Sequence, residues 1–263
     1  MKTNLVKQKL RNGEPTFGTW LTLGHLHAAR MLARAGFDWL TVDMQHAPFD
    51  WDQAAALFAA VADAGCVPLC RVPEDSHASI CRALDAGSYG VVVPMVNTVE
   101  EGRAAMAAAY YPPLGNRSLG GSLHALNFAA GEEYYARANE EILVVLQIES
   151  PMAVENAEAI LALPGCDALF IGPNDLRARM AVADSKPTAA DFESMVDRVV
   201  AAGRQARKPS GIHVMDPDNA RARAAQGMQF IAVGSDWLML ASGLEAMLRG
   251  LGEESDPRRS GTY

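Results

Sequence analysis

Two acidic residues, Glu149 and Asp175, stand where buried strands are expected to end. Glu149 follows the apolar run 142–148, and Asp175 closes a short turn after the apolar run 167–171. Such runs are typical of strands in a parallel sheet, whose carboxyl ends lie along one edge. Two carboxylates that emerge side by side there repel each other unless a cation lies between them. Because oxygen ligands favour Mg²⁺ and Mn²⁺, with Co²⁺ as a further candidate, we predict that Glu149 and Asp175 bind a divalent metal ion.

The same segment allows two other interpretations. Either acid could cap the helix that follows it, since a carboxylate at a helix start accepts hydrogen bonds from exposed N–H groups. The backbone N–H groups of Asn174 and Asp175 would point outward at a helix start, where they could bind a small carboxylate. Gly172 would let that ligand approach closely. The alternative for this second feature is an ordinary strand-to-helix turn.

Arg71 and His46 are the candidates for electrostatic and acid–base chemistry. Arg71 ends a buried strand, so it either forms a salt bridge with a nearby acid or supports negative charge that develops on a substrate oxygen. His46 follows the second strand and is either a structural hydrogen-bonding residue or a general base. Other polar or aromatic residues stand at expected strand ends, namely Trp20, Asp43, Gln147, His213 and Asp236.

The 263-residue chain alternates strand and helix patterns without a change of composition. Eight alternations favour closure into a (β/α)₈ barrel over an open sheet. We therefore expect one α/β domain, a TIM barrel, over residues 1–251 and a polar tail over residues 252–263. The segment 110–131 is too long for an ordinary crossover, which favours a lid or a contact to a neighbouring subunit. The predicted strands cover residues 17–21, 38–42, 67–72, 89–93, 142–148, 167–171, 210–214 and 229–233.

Composition argues against several classes of protein. A net charge of −8 without a basic run argues against nucleic-acid binding, and no uninterrupted apolar segment is long enough to cross a membrane. The first residues lack the apolar core of a signal peptide, and the four cysteines form no CxxC pair. We therefore expect a cytoplasmic protein with reduced thiols. The sequence contains neither a dinucleotide glycine fingerprint nor a phosphate-loop motif.

Several motifs between about Phe17 and Ser235 occur in a specific order and spacing. They are GFDWLTVDMQHAP, the strand-three Arg71, LDAGSYGVVVPMVNT, YYPPLGNRSLGG, VLQIES and DALFIGPNDL. Together they resemble the HpcH/HpaI aldolases, metal-dependent class II lyases that cleave 4-hydroxy-2-oxo acids. The resemblance implies a TIM barrel that assembles into homohexamers through exchanged helices.

The resemblance implies a role for each residue of the metal and substrate site. Glu149 and Asp175 are similar to the metal ligands of the family. Gln147 and the backbone N–H groups of Asn174 and Asp175 are similar to contacts with the pyruvyl part of the substrate. Two further residues at the strand ends, Trp20 and Gly172, complete the predicted substrate site.

The acid–base residues follow in the same way. His46 resembles the general base, and Arg71 resembles the residue that stabilises the transition state. Asp85 matches the acid thought to raise the basicity of the histidine. The expected topology puts Asp85 at the end of a helix, away from the strand ends, so that role requires a different local path or a neighbouring chain. Asp43 is nearer in sequence and is the alternative partner of His46.

Two positions depart from the family pattern. Gln45 stands where the family commonly has an acid, and Arg177 stands where it commonly has serine. The loss of an acid could change the water shell of the metal or the basicity of the histidine. Arg177 could contact an acidic substrate or face solvent. Both departures bear on the substrate more than on the reaction.

The predicted function is that of an aldolase that releases pyruvate and an aldehyde through a metal-bound enolate, whose charge Arg71 shares. Only Lys186 and Lys208 lie beyond residue 9, and neither ends a strand, which disfavours a Schiff-base mechanism. The alternatives are oxaloacetate decarboxylation or a related step on a diacid, and a barrel that binds an oxo acid without converting it.

Overall fold

The structure, a computed structural model, describes residues 1–181 and 187–252. Eight parallel strands pair in sequence order and close into a barrel, because the last strand pairs with the first. The predicted TIM barrel is therefore confirmed. The predicted tail, residues 252–263, lies outside the described residues except for Gly252. The strands are β1 (Thr16–Leu21), β2 (Trp39–Asp43), β3 (Val67–Arg71), β4 (Gly90–Val93), β5 (Leu143–Ile148), β6 (Ala168–Ile171), β7 (Ser210–Val214) and β8 (Phe230–Ser235).

Helices connect the strands and surround the barrel. They are α1 (Leu5–Arg11), α2 (Leu26–Leu32), α3 (Trp51–Asp63), α4 (His77–Asp85), α5 (Val99–Ala109), α6 (Leu123–Asn127), α7 (Tyr134–Glu141), α8 (Pro151–Glu155), α9 (Ala157–Leu161), α10 (Pro173–Met180), α11 (Ala189–Ala206), α12 (Pro217–Ala225) and α13 (Asp236–Gly250), with a 3₁₀ turn over Gly131–Glu133.

The connection between β5 and β6 contains two short helices in place of one continuous helix. Two short helices, α8 and α9, meet at Asn156, whose φ and ψ of −89° and 0° interrupt the helical hydrogen-bond pattern. The side-chain amide of Asn156 donates to the carbonyl of Asn97 at 2.8 Å. This contact ties the break to the loop after β4, which also contributes to the site described below.

A helix that the sequence did not predict, α1, closes the amino-terminal end of the barrel. The Asn4 amide donates to the carbonyls of Tyr89 and Glu141, and the buried Lys7 ammonium lies 3.0 Å from Asp167. A buried lysine contradicts the usual apolar pattern of a helix that packs on a core. The short helix therefore gave no periodic signal.

Aromatic rings fill the barrel where glycines make room for them. The Trp39 and Phe230 rings stack with centroids 4.2 Å apart, and Phe170 meets Phe230 edge to face. Gly18 lies against Trp39, since a Cβ at that position would be 2.0 Å from the indole ring. The interior is thus a packed core up to its carboxyl-terminal end, where polar side chains begin.

Polar residues fix the helix starts that follow the strands. At the start of α3, the side chain of Asp50 accepts a hydrogen bond from the backbone N–H of Gln53 at 2.8 Å. Thr98 and Glu101 form a capping box at the start of α5. Such caps satisfy N–H groups that have no partner inside the helix. They hold the loops at the carboxyl edge in place.

The last helix, α13, presents apolar side chains to solvent along its length. Asp236 is its only buried residue. Three of its apolar side chains are 51%, 53% and 73% exposed, namely Leu240, Leu244 and Met247. Within the described residues, the elements that α13 packs against most closely are β1 and β8. In the described part of the chain no helix combines the length and the apolar character needed to cross a membrane.

Candidate active site

Glu149 is the most buried carboxylate at the carboxyl end of the barrel. It follows β5 directly and is 1% exposed. Its Oε1 accepts a hydrogen bond from the backbone N–H of Met95 at 2.7 Å, and its Oε2 accepts one from the side-chain amide of Gln147 at 2.7 Å. These two donors fix the carboxylate from both sides, so its position is set before any ligand arrives.

Burial raises the pKa of the Glu149 carboxyl above its ordinary value. The hydrogen bonds from Met95 and Gln147 and the charge of Arg71 oppose that change, whereas the charge of Asp175 adds to it. Burial therefore outweighs the two hydrogen bonds and the charge of Arg71. A cation bound at this position would favour the ionised carboxylate.

Asp175 occupies the third position of α10, in the first turn after Pro173. It is partly exposed, and Asn174 beside it is exposed. Gly172 places this helix start against Glu149, because a Cβ on Gly172 would lie 2.4 Å from Glu149 Oε2 and 2.7 Å from Gln147 Nε2. The structure therefore places Gly172 and the helix start that carries Asp175 next to the Glu149 carboxylate.

The donor set suits a divalent ion that binds through few protein ligands. Glu149 and Asp175 offer hard oxygen ligands, and Gln147 Oε1 is buried with no hydrogen-bond partner among the described residues. In the same residues no group of three or more His, Cys, Asp and Glu side chains gathers to hold a metal. Mg²⁺ commonly binds through one or two carboxylates and keeps other positions for water or substrate. The residues present fit such an ion.

Arg71 forms the salt bridge that the sequence left as one of two alternatives. Its Nε and Nη2 donate to the two carboxylate oxygens of Asp43, at 2.8 and 2.5 Å. Its guanidinium carbon lies 4.5 Å from the centre of the Trp20 ring. The Nη1 atom has no hydrogen-bond partner among the described residues. The salt bridge and a role toward substrate are therefore compatible.

Asp43 also organises the loop that carries His46. Its Oδ1 accepts hydrogen bonds from the backbone N–H groups of Gln45 and His46, at 3.1 and 3.3 Å. The His46 side chain is exposed and has no hydrogen-bond partner in the described residues. Asp43 thus contacts the His46 backbone and Arg71, not the imidazole, which makes it a positioning residue. Gln45 Oε1 is buried and lacks a hydrogen-bond partner within the described ranges.

Asp85 lies apart from these residues within the chain. It is the last residue of α4, and its carboxylate accepts a hydrogen bond from Arg117 at 2.6 Å. Arg117 is itself buried and packs on the Tyr111 ring. The α4 helix runs back from the carboxyl edge of the barrel, so its end faces the opposite side. The expected position of Asp85, away from the strand ends, is what the structure shows.

Two residues at the site carried no clear signal in the sequence. Met95 adopts a positive φ of 63°, which is unusual for a residue with a side chain, and this turn aims its N–H at Glu149. His213 lies inside the barrel mouth against Trp20, with ring centroids 5.9 Å apart. The sequence predicted that His213 lies at the end of β7, but it gave no feature that distinguishes a substrate-binding histidine from a structural one.

Arg177, one of the two departures from the family pattern, packs away from the strand ends. Its guanidinium carbon lies 3.7 Å from the centre of the Phe192 ring on α11. The Arg177 charge also helps to lower the pKa of Glu193, after the larger effect of a hydrogen bond from Arg223. These contacts assign Arg177 to helix packing and not to the substrate site.

The chain matches known proteins over nearly its whole length. A sequence model of the HpcH/HpaI aldolase/citrate lyase family matches residues 16–242. The 2-keto-3-deoxy-L-rhamnonate aldolase of Salmonella gallinarum is 35% identical over 265 residues, with 98% of each chain covered. The crystal structure of an HpcH/HpaI aldolase/citrate lyase family protein from Burkholderia cenocepacia J2315 has 36% identity and a TM-score of 0.88, and the match covers 95% of this chain and 100% of that one. The HpcH/HpaI aldolase of Desulfitobacterium hafniense DCB-2 has 29% identity and a TM-score of 0.85, with 95% and 97% covered.

Proposed function

Since this chain belongs to the HpcH/HpaI aldolase/citrate lyase family and is an aldolase, we propose that Glu149 and Asp175 bind a divalent metal ion, Mg²⁺ or Mn²⁺, and that the enzyme cleaves or forms 4-hydroxy-2-oxo acids. The products of cleavage are pyruvate and an aldehyde. The observation that carries the proposal is the buried Glu149 carboxylate, which Met95 and Gln147 hold next to the first turn of α10, where Asp175 lies. A divalent ion would supply Lewis-acid stabilisation of charge on the 2-oxo group.

The residues around the carboxylates support binding of the pyruvyl part. Gln147 donates to Glu149, and its acceptor oxygen has no partner among the residues that the structure describes. The N–H groups of Asn174 and Asp175 open the first turn of α10. A helix start of this kind favours an anion such as the substrate carboxylate. The bound 2-oxo acid would then present its C3 and C4 atoms to the residues on the Arg71 side of the barrel mouth.

Proton transfer and charge stabilisation fall to His46 and Arg71. His46 would remove the proton of the C4 hydroxyl as the C3–C4 bond breaks, and would return it in the condensation direction. Arg71, held rigid by Asp43, would stabilise negative charge on the C4 oxygen. Because two of its N–H donors are committed to Asp43, the free Nη1 is the donor available for this oxygen.

The described lysines support a mechanism without a Schiff base. Lys7 is buried at the amino-terminal end, where it donates to the carbonyl of Ile142. Lys208 donates to the carbonyls of Leu161 and Leu163, also at that end. Lys186 lies outside the described residues. The buried carboxylate at the opposite end is therefore the better centre for enolate chemistry.

Chelation is the direct test of the proposal. Pyruvate formation from a 4-hydroxy-2-oxo acid is expected to stop after treatment with EDTA and to return with Mn²⁺ or Mg²⁺. Glu149→Gln should abolish Mn²⁺ binding measured by calorimetry, whereas Glu155→Gln, at an exposed position on α8, should bind as the wild type does. Full activity in EDTA would refute the metal-dependent mechanism.

Decarboxylation of oxaloacetate is the alternative reaction at the same site. The packing of Arg177 on Phe192 removes one cation that an acidic substrate could have used. We therefore favour the hydroxy-oxo acid. Comparison of kcat/KM for the two substrates separates the reactions, and a higher value for oxaloacetate would reverse the assignment. Binding of pyruvate without turnover of either substrate would indicate a non-catalytic barrel.

We also propose a homo-oligomer, a hexamer as the resemblance implies, in which α13 packs on a neighbouring chain. The exposed Leu244 and Met247 support this, because an apolar helix face of this size is normally covered. Asp85 retains a 35% exposed carboxylate although its partner Arg117 is fully buried. It is thus available to a neighbouring chain, where it would raise the basicity of His46.

A reducing compartment, the cytoplasm, fits the cysteines. All four are free, and burial raises the pKa of the Cys66 and Cys166 thiols to about 12. Thiols of this kind are poor nucleophiles and have a packing role. These two buried cysteines contribute to the packing of the core as free thiols.

A further inference from the structure

His213 is a half-buried titratable side chain that the proposed mechanism does not use. It lies on β7, where it pairs in register with Ala232 of β8, and its ring meets Trp20 edge to face at 77°. Trp20 also contacts Phe170, at 5.8 Å between centroids. The imidazole is thus the polar member of a wall that is otherwise aromatic.

The hydrogen-bond partner of His213 fixes its tautomer. Nε2 lies 3.0 Å from the carbonyl oxygen of Gly234. A carbonyl oxygen only accepts hydrogen bonds, so Nε2 carries the hydrogen and Nδ1 is left as an acceptor. Among the described residues, Nδ1 has no hydrogen-bond partner. The residue is partly exposed, so the imidazole borders the open mouth of the barrel.

The surroundings keep this imidazole neutral. Burial lowers the pKa of His213 to about 4, with a further lowering by the charge of Arg71, while the hydrogen bond to Gly234 and the charge of Asp43 oppose the change. Nδ1 is therefore an uncharged acceptor at neutral pH. Such an acceptor pairs with a hydroxyl hydrogen and repels the oxygens of a ketone or a carboxylate.

The charges that act on His213 also locate it within the site. Arg71 and Asp43 are the charged residues that affect it, and Arg71 shares the Trp20 ring with it. In the proposed function the pyruvyl oxygens lie at Glu149, Gln147 and the start of α10. His213 is therefore on the side of the aldehyde part of the substrate.

We propose that Nδ1 of His213 accepts a hydrogen bond from a hydroxyl group on the aldehyde part of the substrate, and so selects hydroxylated aldehydes over aliphatic ones. This inference rests on the proposed aldolase function and names the substrate class of that site. An aliphatic aldehyde would remove water from Nδ1 without replacing its hydrogen bond. A site that loses a hydrogen bond in this way discriminates against the analogue.

The test compares condensation of pyruvate with glycolaldehyde and with acetaldehyde, which differ by one hydroxyl group. His213→Leu is expected to lower the ratio of the two kcat/KM values about 10- to 100-fold relative to the wild type, which corresponds to the loss of one hydrogen bond. The acetaldehyde value should change less than about threefold on the same reasoning. His213→Asn, which keeps an acceptor close to the Nδ1 position, should retain most of the preference.

Two controls keep the result interpretable. His27→Leu, at an exposed position on α2, should leave the ratio unchanged. Exchange of the pyruvate C3 hydrogens with deuterium, which needs no aldehyde, should persist in His213→Leu and shows that the variant is folded. An unchanged ratio in an exchange-active His213→Leu would overturn the inference alone. A wild type with Mn²⁺ that neither exchanges nor condenses would overturn the proposed function, and this inference with it.

Discussion

Asp43 and Arg71 face each other across neighbouring strands and form a two-point ion pair, with Nε–Oδ1 and Nη2–Oδ2 distances of 2.8 and 2.5 Å. They are register partners at the carboxyl ends of β2 and β3. The pair orients a guanidinium in the barrel mouth, and its Nη1 has no hydrogen-bond partner within the described parts of the chain. The same carboxylate holds the backbone of His46, so a single acid positions both residues assigned to the C4 oxygen.

Asp43→Asn tests this shared role. The substitution leaves Arg71 without its anionic partner, so the guanidinium and the His46 loop should lose their fixed positions. We expect kcat to fall about 100-fold, since small displacements in a catalytic site have effects of this size. The free energy of unfolding should fall by about 1–3 kcal/mol. Kinetics and urea denaturation measure the two effects.

Asp38→Asn is the matched control, because Asp38 lies just before the other end of β2. Its carboxylate binds Lys9 and the backbone N–H of Phe17. This variant should lose comparable stability and keep its kcat. If both variants lose kcat to the same extent, loss of stability and not positioning explains the result.

Gly172→Ala tests the close approach between α10 and Glu149. A Cβ there would lie 2.4 Å from Glu149 Oε2, which forces the carboxylate away from its position. We expect Mn²⁺ affinity to fall at least about tenfold, as for changes next to metal ligands. Calorimetry measures the affinity. Gly250→Ala, at a glycine with open space around it, should bind as the wild type does, and unchanged binding in Gly172→Ala would contradict the proposed geometry.

Asp75 should make stability depend on pH. Burial raises its pKa to about 6, with a further increase from the Glu101 carboxylate. The folded value lies above the ordinary value of 3.8, so the protonated form stabilises the fold below pH 3.8, and that contribution is lost as the pH rises through about 6. Asp75→Asn should therefore gain about 1–2 kcal/mol relative to the wild type at pH 8, after allowance for solvent screening.

Urea denaturation of both proteins at pH 4, 6 and 8 checks this expectation. The difference between them should be small at pH 4 and grow toward pH 8. Asp63→Asn, for an acid at the exposed end of α3, should give curves parallel to those of the wild type. A difference that does not change with pH would show that Asp75 is ionised throughout the range.

Leu244→Glu with Met247→Glu tests the role of α13. Both side chains are exposed in the single chain, so the substitutions should not disturb the barrel itself. We expect the assembly to dissociate, measured by size-exclusion chromatography with light scattering. Glu245→Gln with Arg249→Gln, which removes an exposed ion pair on the same helix, should leave the mass unchanged. An unchanged mass in the first variant would show that this face of α13 is not an interface.

The barrel and its carboxylates were predictable because both follow from one pattern. Apolar runs without alternating polar residues indicate strands that are buried on both faces of a parallel sheet. The residue that follows such a run therefore lies at the carboxyl edge of the sheet. Glu149 and Gly172 were located in this way. The Asp43–Arg71 pair was not, because both alternatives for Arg71 agree with the sequence, and only the register of β2 against β3 decides between them.

The other residues of the site depend on backbone conformation that the sequence does not encode locally. Met95 contributes an N–H group, and any residue type except proline could do so. Its positive φ of 63° aims that group at Glu149, and a methionine gives no sequence signal for such an angle. The α1 helix was not predicted because it buries a lysine, Lys7, which breaks the expected apolar pattern. That lysine is stabilised by Asp167, which is distant in sequence.

The environment of Trp20 should make its intrinsic fluorescence sensitive to substrate binding. Its indole is 4% exposed and touches Arg71 and His213, two groups expected to change their contacts when substrate enters. Tryptophan emission responds to a nearby cation and to water. A fluorescence titration should therefore report substrate binding in the barrel mouth without a measurement of turnover. The Trp20→Phe variant would identify the part of the signal that comes from this ring.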